Sequence, residues 1–69
     1  MLIYTIYNRP LDYPNHYVVR QFQITSEGAV AGLCSLADCL EEARAMVPPG
    51  LACFPRQYGD DSKIVETWL

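Results

Sequence analysis

Apolar and aromatic residues recur with a period of two over most of this chain and with a helical period only once. In Leu2-Ile3-Tyr4-Thr5-Ile6-Tyr7, the residues Leu2, Tyr4 and Ile6 share one side of an extended chain, and Ile3, Thr5 and Tyr7 share the other. A run that is β-branched and aromatic on both sides predicts a central strand. Tyr17–Thr25 predicts a second strand, with Val18, Arg20, Phe22 and Ile24 on one parity and Tyr17, Val19, Gln21 and Gln23 on the other. Leu51–Pro55 reads as a short third strand ending at an edge, because Pro55 cannot donate to a ladder. Ile64–Leu69 reads as the fourth.

The single helical stripe is Leu36, Leu40, Ala43 and Val47, widened by Cys39 and Met46, with Asp38, Glu41, Glu42 and Arg44 away from it. This predicts a helix over Leu36–Val47. Ser35 is the expected N-cap, with Asp38 three residues on, and Pro48-Pro49-Gly50 is the stop. The Gly- and Ala-rich stretch Ser26–Cys34 reads as a flexible loop, and Arg9–His16, with Pro10 and Pro14, as a stiffer connection. The expected fold is therefore α+β: a single ββαββ domain over residues 1–69, a four-stranded antiparallel sheet with one helix on one face. Pairing the two most apolar strands at the centre gives the order 2-1-4-3. One helix covers one face, so the other is left to water, a loop or another molecule. Arg20 and Glu66 each interrupt an apolar parity and could meet on that open side, although two unrelated exposed charges explain them as well.

Charge narrows the classes of partner. Eight acids against five bases give a net charge of −3. The bases Arg9, Arg20, Arg44, Arg56 and Lys63 are scattered singly, so no basic stripe exists to neutralise phosphates, and nucleic acid is not expected as a direct ligand. An acidic surface suits a basic protein partner. Charged residues make up only 19% of the chain, below the usual ~25%, which favours an exposed apolar patch. No apolar run approaches the ~18 residues of a membrane span, and no secretory signal pattern precedes the first strand. Cys34, Cys39 and Cys53 are an odd number; in a cytosolic setting they are expected reduced, with Cys39 and Cys53 in the core.

No catalytic or metal set can be assembled, so no cofactor is expected. The acids on the helix oppose a thiolate at Cys34, and His16 is the only histidine available as a base. The spacing of Cys34, Cys39 and Cys53 does not match zinc ligation. Gly59-Asp60-Asp61 is similar to the metal-binding turn of RNA polymerases, but a 69-residue chain has no room for that enzyme, and a Gly/Asp turn accounts for the triplet. Five tyrosines, Trp68 and Phe22 can serve a small core or a binding surface.

The segments Ile3-Tyr4-Thr5-Ile6-Tyr7-Asn8-Arg9-Pro10, Asp12-Tyr13-Pro14, Tyr17-Val18-Val19-Arg20, Glu41-Glu42-Ala43-Arg44, Pro48-Pro49-Gly50-Leu51 and Asp60-Asp61 followed by Ile64-Val65-Glu66-Thr67-Trp68 resemble a family of small uncharacterised bacterial proteins found also in prophages and mobile elements. That resemblance carries no activity; it implies that the Arg9–Arg20 and Asp60–Trp68 segments act together. In size and charge the chain is also similar to anti-CRISPR proteins, which inhibit by binding. The resulting expectation is a non-enzymatic cytoplasmic inhibitor of a host defence complex. Asp38, Glu41, Glu42, Asp60 and Asp61 would meet a basic nucleic-acid-binding surface, with Tyr13 or Tyr58 as aromatic anchor. The alternative is a bacterial housekeeping protein that self-associates through the open sheet face; the chain is expected to be a monomer or a weak homodimer.

Overall fold

A computed structural model describes all residues from Met1 to Leu69. Six elements follow one another: β1 (Leu2–Asn8), β2 (Tyr17–Thr25), β3 (Gly28–Ala37), α1 (Leu40–Ala45), β4 (Cys53–Pro55) and β5 (Ile64–Trp68). The strands form one antiparallel sheet in the order β3-β2-β1-β5-β4. The most apolar strand, β1, is at its centre, as a strand buried on both faces must be.

The four-stranded ββαββ reading is corrected by β3, which occupies most of the stretch expected to be a loop. Ala and Gly are poor strand formers, so Gly28–Cys34 carries no strand propensity of its own. A two-residue turn decides the matter. Thr25 pairs with Gly28 across Ser26-Glu27. The Thr25 hydroxyl donates to the Gly28 carbonyl at 3.0 Å and accepts from the Glu27 N–H at 3.2 Å. Gly28, at φ 121, supplies backbone that other residues avoid. The hairpin then zips along β2 as far as Tyr17 opposite Ala37.

That ladder also shortens the helix. Leu36 and Ala37, expected in the first turn, pair with Val18 and Tyr17 instead. The six-residue α1 is capped by Cys39 rather than Ser35, through a 3.5 Å contact from the Glu42 N–H to Cys39 Sγ. A helix this short is not stable alone, so its place depends on packing. Ala43, completely buried, meets Ile6, Val19 and Ala37, with Leu40, Val47, Tyr4, Tyr17 and Trp68 around them.

Residues opposite one another in a ladder share a face. The helix-covered face carries Tyr4, Ile6, Val19, Gln21, Glu66 and Trp68; the other carries Ile3, Thr5, Tyr7, Val18, Arg20, Phe22 and Thr67. Arg20 and Glu66 are therefore on opposite faces and do not pair. Only eight of 69 residues are buried. Full burial of Ile6 and Val18 contributes about 1.5–3 kcal/mol each, so a few side chains carry the stability of the domain.

Candidate functional site

The register fixes which loops share an end of the sheet. Asn8, Tyr17 and Ala37 are aligned across β1, β2 and β3, and the Asn8 N–H donates to the Lys63 carbonyl at 2.7 Å. Arg9–His16, Asp38 with the first turn of α1, and the loop from Arg56 to Lys63 consequently emerge together. Six of the eight acids are here: Asp12, Asp38, Glu41, Glu42, Asp60 and Asp61. Three of the five bases, Arg9, Arg56 and Lys63, accompany them, and Arg20 reaches in from β2 to pair with Asp12, so this end carries a net charge of −2, most of the total of −3. Elsewhere Glu66 is paired with Arg44, and Glu27 is the one further acid.

The expected partner-binding residues all lie at this end but do not form one patch. Asp38 is exposed, with its carboxylate 3.6 Å from His16 Nδ1, beyond hydrogen-bond length. Glu41 and Glu42 are exposed in the first turn of α1, where the helix dipole also favours them. Asp60 and Asp61 build their own loop. The Asp60 carboxylate accepts from the Gln57 N–H at 2.9 Å and that of Asp61 from the Lys63 N–H at 2.8 Å. Arg56 donates to the carbonyls of both, at 3.3 and 3.2 Å, so it braces the turn. Three strand spacings separate the ends of β3 and β5, so Asp38 and the Asp60-Asp61 turn leave different parts of this end. Tyr58 projects fully into solvent. Tyr13 closes a turn through its N–H to the Pro10 carbonyl at 2.9 Å and borders a shallow pocket with Ala31, Gly32 and Cys34 of β3.

Between these acids is a cleft of about 480 Å³ lined by Tyr7, Pro10, Leu11, Asp12, Arg20, Asp61, Ser62 and Lys63. The Arg20 guanidinium stacks on the Tyr7 ring, 4.9 Å from its centre, and is paired with the Asp12 carboxylate. Its Nε is buried without a partner. Burial raises the Tyr7 hydroxyl above its ordinary pKa; Arg20 opposes this, and Asp61, Asp12 and Asp60 reinforce it. Thus the Arg9–Arg20 and Asp60–Trp68 segments do border a common cleft. Asp12 is not among the expected contact residues, because its pairing depends on a loop folding back over Arg20.

Glu66 forms a second polar cluster, on the helix face. It is nearly buried and accepts from Arg44 Nε at 3.1 Å, a terminal Arg44 nitrogen at 2.8 Å and the Trp68 indole at 2.7 Å. The Arg44 bonds hold its carboxyl below the usual range, the indole adds to this, and burial opposes it. Desolvation, followed by Glu66, pushes the nearby Cys53 thiol up. All three thiols are free and exposed. Cys34 is in β3, Cys39 caps α1 and Cys53 begins the edge strand β4, so none is a core residue. No three His, Cys, Asp or Glu side chains converge as a metal-ligand set. No helix is long and apolar enough to cross a membrane.

Comparison with known proteins gives no match to a family model, a curated protein or a solved structure.

Proposed function

We propose that the protein is a non-enzymatic binding domain whose acidic end docks on a basic surface of a protein partner. The observation that carries this reading is the gathering of charge: one end of the sheet holds six of the eight acids and most of the net charge. Such an asymmetry orients an approaching cationic surface and speeds the encounter. Glu41 and Glu42 have free carboxylates at that end and Asp38 is exposed beside His16, whereas Asp60 and Asp61 each use one oxygen on their own turn. Tyr58, wholly exposed beside them, is the aromatic anchor available to a partner; Tyr13 is partly engaged in its own loop. The specific form of this reading is an inhibitor of anti-CRISPR type, carried by a phage or mobile element, that occupies the nucleic-acid-binding groove of a host defence complex.

The test is capture from a bacterial lysate on immobilised wild-type protein and on a Glu41→Lys/Glu42→Lys variant, over a series of salt concentrations. A basic protein held by the wild type, released by nucleic acid and by salt, and lost with the variant supports the reading. A protein retained equally by a variant with unchanged circular dichroism rules out the acidic end.

A further inference from the structure

We infer that β3 is a self-pairing edge through which two copies of this chain join into one ten-stranded sheet. The two edges of the sheet differ in kind. The β4 edge is three residues long and ends at Pro55, as protected edges do. β3 has ten residues, Gly28–Ala37, with neither a charge nor a proline. Its outer row of N–H and C=O groups has no strand beside it, since β3 is terminal in the sheet. All of its residues except Ala37 are exposed, among them Val30, Leu33 and Leu36 at 57%, 74% and 40%. A bulge at Gly32-Leu33 divides β3 into Gly28–Ala31 and Cys34–Ala37; in antiparallel self-pairing each half of one copy meets the other half of its partner, with fewer than about ten main-chain hydrogen bonds in all.

Charge selects a second copy arranged about a two-fold axis. Pairing β3 with β3 brings no side-chain charges together along the strand itself. The antiparallel arrangement sends the two acidic ends in opposite directions, roughly a strand length apart and well beyond the ~8 Å screening length. A parallel arrangement would set the two acidic ends side by side. Full overlap aligns the two bulges and places Asp38 opposite Glu27 of the second copy only beyond the paired residues, at the ends of the strands. The pair also closes on itself, because the short β4 edges left outermost do not template further strands. The edge, not the open sheet face, is the self-association surface, since Arg20, Tyr7 and the Arg9–His16 loop already occupy much of that face.

The experiment is sedimentation of the full chain over a concentration series, with amide hydrogen exchange at both extremes. The 7.8 kDa mass is expected to double as concentration rises, with exchange slowing in β3 and not in β4. A Val30→Lys/Leu33→Lys variant, changed only at exposed positions, should dimerise at least tenfold more weakly, because like charges oppose across the pair. Glu41→Lys/Glu42→Lys should dimerise as the wild type does, which separates this inference from the acidic-end reading. A wild-type mass of one chain up to about 1 mM would overturn it. So would a lysine variant of native circular dichroism that dimerises normally, or concentration-dependent protection confined to β5 and the open face. If the lysine variant fails to fold, exchange in the wild-type protein alone decides.

Discussion

Arg44 grips the Glu66 carboxylate with two hydrogen bonds, 3.1 Å from Nε and 2.8 Å from a terminal nitrogen, and so fastens α1 to β5. The pair bridges 22 residues of sequence. It is lopsided: half of the Arg44 side chain is exposed and Glu66 is nearly buried. Removing the arginine would therefore strand the carboxylate more than the reverse would strand the guanidinium.

Glu66 should make the fold acid-sensitive. Its folded pKa lies below that of an unfolded Glu, about 4.3. Its contribution is thus present above about pH 4.3 and is lost as pH falls through the lower folded value, because the unfolded chain takes up the proton first. Urea midpoints between pH 6 and 3 should fall less steeply in Glu66→Gln than in the wild type. Equal slopes would show that other carboxylates carry the effect. Arg44→Met should raise the Glu66 pKa and lower the midpoint at pH 7.

The core is narrow enough that one residue matters. Ile6 is fully buried between Val19 and Glu66 in the central strand. Ile6→Ala should cost about 2–5 kcal/mol in a urea titration, a large share of the ~5–15 kcal/mol typical of domains. Leu40, only half-buried over the same cluster, should cost less on truncation.

The helix cap can be improved. Sulfur is a weak acceptor, and the Glu42 N–H to Cys39 Sγ contact is long at 3.5 Å. Cys39→Ser places a preferred capping oxygen there and should raise stability by about 0.5–1 kcal/mol in thermal melts. No gain would mean that the first turn of α1 does not depend on this contact.

The three thiols should all be accessible. Native protein in a maleimide reagent should take up three labels without denaturant, and its mass under non-reducing conditions should match the reduced chain. Cys53, whose pKa is raised, should react more slowly at pH 8 in the folded than in the unfolded protein. A missing label would place that cysteine in a buried or oxidised state.

The sequence by itself determined β1, β2 and β5 nearly to the residue, and their neighbourhood in the sheet, because alternating apolar residues state directly which chain segments must be extended and half-buried. It also determined the net charge and the odd cysteine count. The tertiary structure decided the rest. Gly28–Cys34 lacks strand propensity and became β3 because a tight turn delivered it to the edge of β2. Leu36 has helical spacing from Leu40, yet the ladder to Val18 outweighs a helix turn that could not stand alone. Arg20 and Glu66 could not be placed from parity in single strands, since whether they share a face depends on the pairing across β1. Asp12 over Arg20, Arg44 on Glu66 and the single acidic end are likewise properties of register and loop return: they join residues far apart in the chain, and no local pattern records which distant neighbour a strand will choose.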